Sequence, residues 1–175
     1  MAIKSFEQQL VELFNTKNPS LAQALSVADV DFSIATALDG GTGGRDSKVT
    51  ITAKAESEHF TSNVELHYIR LSAGVVGPKA VTADLADWDT DAEVLAILNA
   101  DVIAAGRAED AFTLAELSIT RDGTGTDEDP LVISVSINPG HIKYHEGQIA
   151  TYTVTEEIVK TDLSTTDGEL DGFTA

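Results

Sequence analysis

The chain contains no cysteine. That excludes disulfides, thiolate nucleophiles and thiolate-bound metals, and it leaves the redox compartment open. Basic residues are scarce as well: 11 Lys and Arg stand against 29 Asp and Glu, a formal net charge of -18 over 175 residues. Such a balance repels phosphate backbones and anionic bilayers, so neither nucleic acid nor a membrane is an expected partner. No apolar run approaches the roughly 20 residues that a membrane helix needs. The opening MAIKSFEQQLVELF is broken by Glu7, Gln8, Gln9 and Glu12 and lacks the h-region of a signal peptide, so synthesis without export is expected. A phosphate-binding P-loop is missing too. ALDGGTGGRD, residues 37–46, holds four glycines, but Arg45 and Asp46 follow Gly44 where Lys and Ser or Thr are required. An alternating run follows where a helix N-terminus would have to sit. The glycines there read as a strand-to-strand connection that needs positive φ. No serine stands in a nucleophile-elbow context, no base or cofactor site can be named, and the expectation is a protein that is not an enzyme.

What the sequence does have is 42% hydrophobic residues, enough for a core, and a repeated order of elements. Ser5 with Gln8 reads as a capping box, followed by Phe6, Leu10, Leu13 and Phe14 at helical spacing, and Asn15 ends the pattern. Thr90 with Glu93 is a second box, 85 residues on, followed by Val94, Leu95, Ile97 and Leu98 up to Asn99. Ile3 and Trp88 precede the two caps at equivalent distances, as staple residues would. Val30, Phe32 and Ile34 alternate like a strand, as do Leu117 and Ile119. Each leads into a glycine loop, DGGTGGRDSK or RDGTGTDEDP. Further alternating runs follow: Val49 to Ala55 and Val64 to Tyr68 in one half, Leu131 to Ile137 and Ala150 to Val154 in the other.

The expected fold class is therefore α+β and β-rich: two tandem helix-strand-strand-strand units with antiparallel sheets. The boundaries are 1–72 for the first unit, 73–89 for a linker, 90–160 for the second unit and 161–175 for an acidic tail. Units of this size are small for self-sufficient cores; their outer sheet faces could be wet, as antiparallel sheets allow, or the units could instead pack on each other or on neighbouring chains.

Three features carry candidate sites. Asp122, Asp127 and Asp129 place carboxylates on a short glycine loop, the oxygen-rich setting that Ca²⁺ prefers, although no Glu closes an EF-hand pattern. The alternative is a solvated acidic turn. His59, His67, His141 and His145 fall in or near matching turns, and would approach one another only if the units pair. In the tail, Leu163, Leu170 and Phe173 are apolar residues among acids, suited to docking on a neighbour.

The stretch GGRDSKVTITAKAESEHFTSNVELHYIRL, residues 43–71, resembles a domain of virion structural proteins of large tailed bacteriophages. Gly44, Arg45 and Asp46 fill that family's loop, and Ser62, Val64, Tyr68, Arg70 and Leu71 fill much of its strand, with Asn63 inserted after the serine. Asp162 to Thr165 and Leu170 to Phe173 are similar to its C-terminal ending. The second unit departs from the loop pattern. The resemblance implies a non-enzymatic building block of the virion, made in the host cytoplasm and present in many copies. It would contact other virion proteins, such as a major capsid or tail protein, and carry no cofactor. A capsid decoration protein is the first expectation and a tail or neck component the second; a calcium-dependent binding module is the alternative from another class. Arg45 and Asp46 are expected to fix the turn or an intersubunit contact.

Overall fold

The computed structural model describes residues 2–157 and 162–165. Helix α1, Phe6–Lys17, starts where expected. The Ser5 hydroxyl accepts the Gln8 amide at 3.2 Å, and the Gln8 side chain accepts the Ser5 amide at 3.0 Å. Helix α2, Asp91–Ala104, opens with the same reciprocal box between Thr90 and Glu93. Two orphan N–H groups are satisfied at each start.

Neither asparagine ends its helix: α1 continues to Lys17 and α2 to Ala104. The Asn15 side chain instead reaches across to Leu25, donating to its carbonyl at 2.8 Å and accepting its amide at 2.9 Å. Asn99 clasps Phe112 in the same way, at 3.0 and 2.8 Å. The repeated asparagine thus marks a repeated tertiary clasp, in which one side chain satisfies both backbone groups of the returning segment.

Strand β3, Ser47–Ala53, is the centre of the first sheet. It pairs antiparallel with β4, Asn63–Tyr68, on one side and with β1, Val30–Phe32, and β2, Thr36–Ala37, on the other. The run Val30 to Ile34 is therefore not one strand. Ser33 bonds Thr50 through both its amide and its hydroxyl, Ala35 donates to the Gly140 carbonyl at 3.0 Å, and Ile34 is left 72% exposed.

The second sheet has the order β5-β8-β7-β6, with β5 Gly77–Ala83, β6 Leu117–Asp122, β7 Leu131–Ile137 and β8 Gly147–Glu156. Strand β5 corrects two expectations. It lies within the segment 73–89 read as a linker, and it pairs with β8 in parallel, so this sheet is not wholly antiparallel. Pro78 is tolerated because β5 is an edge strand. Residues Leu85–Trp88 form a 3-10 turn that carries Trp88 into the core, 5.0 Å from the Tyr152 ring. Ile3, its supposed counterpart, is exposed. The α+β, β-rich class holds, with the second sheet built from four full strands and the first from two plus two fragments.

The two cores differ in depth. Val94, Leu98 and Val102 of α2 pack with Ile133, Val135, Tyr152 and Val154 in one large cluster. Burying each such side chain contributes roughly 1.5–3 kcal/mol. An irregular register on β8 opposite Val135 and Ser136 lets consecutive residues Ile149 and Ala150 both be buried. Under the first sheet the buried group among the described residues is smaller, Val11, Leu25, Val30 and Ile51. Phe6, at the start of α1, belongs to the other core, packed against Phe112 at 5.2 Å and Tyr144 at 6.0 Å. The first unit therefore leans on the second.

Candidate functional site at the seam between the units

The polar chemistry of the molecule gathers where the units meet, along residues 138–145 between β7 and β8. The backbone lays the first ties: Leu71 donates to the Lys143 carbonyl at 2.9 Å, His145 to the Leu71 carbonyl at 2.8 Å, and Lys4 to the Glu109 carbonyl at 3.0 Å. The Tyr68 hydroxyl donates to the Ile142 carbonyl at 2.8 Å. Burial pushes that phenol up to about 12.

Three side-chain clusters sit on this frame. In the first, Asp46 accepts from the Ser47 hydroxyl at 2.8 Å and the Arg70 amide at 3.1 Å, and meets His145 Nε2 at 3.0 Å. Burial pushes the Asp46 carboxyl up, but these three bonds outweigh it and hold it at about 2. Arg70 Nε donates to Ser47 Oγ at 2.7 Å, and its guanidinium reaches the His141 carbonyl at 3.4 Å. Ser, Asp and His are thus together, but in the wrong order for acyl transfer. The aspartate stands between serine and histidine, whereas a triad needs the histidine against the serine. Ser47 is also fully buried.

In the second cluster the Asp110 carboxylate, 1% exposed, accepts from Lys143 Nζ at 2.5 Å, Gln9 Nε2 at 3.1 Å and the Tyr144 hydroxyl. Burial pushes Asp110 up, and the bonds from Lys143, Tyr144 and Gln9 bring it below the usual carboxylate range. Gln9 comes from α1, Asp110 from the loop after α2, and Lys143 and Tyr144 from the seam, so one carboxylate joins three parts of the chain.

The third cluster is His141. Its Nδ1 accepts the amides of Lys143 at 3.1 Å and Tyr144 at 3.0 Å, which leaves the proton on Nε2. Nε2 is buried without a hydrogen-bond partner, 3.6 Å from Glu116 Oε1. Beside it a cavity of about 250 Å³ opens between Glu7, Ile34, Glu116 and Pro139. Burial lowers the imidazole to about 4.

The residues singled out from sequence fare unevenly. Arg45 stays in its own loop, donating to the Thr42 carbonyl at 2.8 Å, while Gly43 and Gly44 take φ of 68° and 76°. Asp46 does tie the units together. Asp122 ends β6, Asp127 and Asp129 follow on the β6–β7 loop, and the three form no ion-holding group. Asp122 caps Gly123 at 3.1 Å, and the Asp129 backbone carbonyl accepts the amides of Thr124, Gly125 and Thr126. Among the described residues no group of three or more His, Asp or Glu side chains is placed to hold an ion, so the four histidines form no such cluster. Leu163 is exposed on a short 3-10 turn, Leu163–Thr165; Leu170 and Phe173 lie outside the described residues. Sequence reasoning missed Ser47, Arg70, Asp110 and Lys143 as seam residues. An acid before Ala111 and Phe112 has no periodic signature that foretells a buried hub.

The fold and seam define a β-rich α+β protein of two interlocked units, whose buried charges serve cohesion. Residues 1–102 match a family of unknown function (DUF7941), and the chain belongs to that family. The matched span takes in the first unit, β5 and most of α2. No curated protein matches, and no solved structure matches.

Proposed function

We propose that this chain is a non-enzymatic structural component of a bacteriophage virion, a decoration or accessory protein on the outside of the capsid. The observation that carries the reading is where the phage-like motif residues fall. Arg45 pins its loop, Asp46 and Arg70 bond at the seam, and the Tyr68 hydroxyl reaches the second unit. Each of these residues has an architectural partner, as a motif kept for building rather than for chemistry would. The formal charge of -18 is consistent with a place away from packaged DNA. As a virion protein it would be present in many copies, bound to a capsid or tail lattice, and made in the host cytoplasm.

The test is mass spectrometry of purified particles of the phage that encodes the chain, followed by imaging of those particles at residue resolution. The chain is expected at a copy number matching a capsid lattice. Density on the tail or neck would relocate it, and its consistent absence from particles would overturn the proposal.

A further inference from the structure

The two sheets share one layout, and the first lacks a strand that the second has. Strands β1, β3 and β4 lie side by side as β6, β7 and β8 do. Register fixes the correspondence. Buried Val49 and Ile51 on β3 pair with Leu66 and Val64, while buried Ile133 and Val135 on β7 pair with Tyr152 and Ala150. In the second sheet β5 covers the outer edge of β8, in parallel. Among the described residues the outer edge of β4 has no partner. Exposure follows: Ala150 and Tyr152 are fully buried, whereas Val64 is 43% exposed and Leu13 of α1, across the same groove, is 65% exposed. The residues before α1 do not stand in for β5, because Lys4 is bonded to Glu109 in the second unit.

Strand β5 shows what such a strand does. Its Lys79 and Val81 stand opposite Tyr152 and Val154. Lys79 bonds Asp101 on α2, which also accepts from the Tyr152 hydroxyl at 2.9 Å, and Val81 packs on the main core. In the first unit the charge at this place is reversed. Lys17, in the last turn of α1, lines the groove beside Leu66 and, among the described residues, makes no hydrogen bond or ion pair. Glu65 on β4 is already engaged, by Lys48 at 3.2 Å and His67 at 2.8 Å.

We infer that the outer edge of β4 receives an extended strand of a partner protein, running parallel to β4, with an acidic residue opposite Leu66 and an apolar residue two positions on, opposite Tyr68. Residues two apart on a strand share a face, so both side chains turn toward α1. The acid meets Lys17, and the apolar side chain covers Leu13 and Leu10. Backbone hydrogen bonds along the edge supply affinity, and these two side chains supply the choice of partner. The chain's own ending is a poor candidate, since TDGELDGFTA, residues 166–175, carries Gly168 and Gly172 within a run that would have to stay extended. The inference does not rest on the virion reading: strand capture in solution and presence in particles can each fail without the other.

The probe is a synthetic peptide of residues 75–84 carrying Lys79→Glu, VVGPEAVTAD, titrated into the isotope-labelled full chain and followed by NMR. Shifts are expected at Asn63–Tyr68 and along α1 to Lys17. A nitroxide on the N-terminal end of the peptide should broaden Asn63 more than Tyr68, as a parallel strand requires. The peptide with Lys79 retained should bind about threefold more weakly, and Lys17→Asp in the full chain should reverse that preference. Leu13→Glu should weaken binding at least about tenfold. Both positions are exposed, and an unchanged melting temperature shows that each variant is folded. A peptide that does not bind overturns the inference, as does broadening centred on Tyr68. Shifts confined to Gly147–Glu156 would show exchange with β5 and also overturn it. Binding only to a chain cut after Glu157 would mean that the chain's own ending covers the edge. Concentration-dependent shifts at Asn63–Tyr68 without peptide would mean that a second copy does. Either result overturns the assignment to a partner protein.

Discussion

Acidification between pH 7 and pH 5 should weaken this fold through His141. The imidazole is nearly inaccessible and accepts two backbone amides on Nδ1, so in the folded state it stays neutral down to about pH 4. Burial is the main cause. Glu7 from α1 and Asp110 from the loop after α2 pull the other way, while Arg70 and Lys143 add to the depression. In the unfolded chain a histidine titrates near 6.5. Because the folded pKa is the lower one, the unfolded state binds the proton first, and stability is lost as pH falls from about 6.5 toward about 4. The gap of about 2.5 units corresponds to about 3 kcal/mol in all, of which about 2 kcal/mol is lost between pH 7 and pH 5. With a urea m-value of about 2 kcal/mol/M for a chain of this size, the midpoint should fall by about 1 M. Trp88, the sole tryptophan and buried in the main core, reports the transition by fluorescence. His141→Asn keeps an acceptor near the position of Nδ1 but cannot titrate. It should be less stable than the parent at pH 7 and nearly flat down to pH 5. Asp46, held at about 2, contributes stability above its unfolded pKa near 3.8 and loses it only below that, outside this window. A His141→Asn protein with the same slope as the parent would show that another group carries the pH dependence and that the burial argument is wrong.

Asp110→Ala should cost about 3 kcal/mol, because it leaves the buried Tyr144 hydroxyl without its acceptor and the half-buried Lys143 with Gln9 Oε1 alone. Adding Lys143→Met should recover part of that in a double-mutant cycle read by urea melts, whereas simple additivity would refute the hub. Asn15→Ala and Asn99→Ala each strip two backbone groups of their partner and should each cost about 2 kcal/mol; a loss in only one would break the equivalence of the clasps. Calcium should leave the melting temperature unchanged, since Asp122 is turned to its own loop and Asp127 and Asp129 do not converge with it; a rise with Ca²⁺ that a chelator reverses would restore the binding-module reading.

What could be read from sequence was whatever is local. Capping boxes are written within four residues, and Ser5–Gln8 and Thr90–Glu93 both form. The alternation of Ile133, Val135 and Ile137 is a period-2 signal, and it places the strand that fills the core. Strand β5 escaped because Gly77, Pro78 and Lys79 weaken its alternation, and its pairing is supplied by β8, some seventy residues away. The helices outran their asparagines because a side chain can leave the helix to clasp a distant backbone, which spacing along one element does not reveal. The same holds for the seam. Arg70 meets Ser47 and Asp46 only through the pairing of β3 with β4, more than twenty residues apart in the chain, and His145, which completes their cluster, comes from the other unit.

The position of β8 has a consequence for synthesis. Among the described residues the strand latest in the chain, β8, is an inner strand of its sheet, between β5 and β7. Until Gly147–Glu156 leaves the ribosome, β5 has no partner and Tyr152 is not there to meet Trp88 or Asp101. The first unit, resting through Phe6 on Phe112 and Tyr144, waits as well. Closure is then governed by long-range pairing, which is slow relative to local helix formation. A chain interrupted before residue 147 presents the unpaired β5 and an open edge of β7 to the cell's quality control. Only a chain that includes Gly147–Glu156 can close the second sheet, so its topology makes folding wait on that strand.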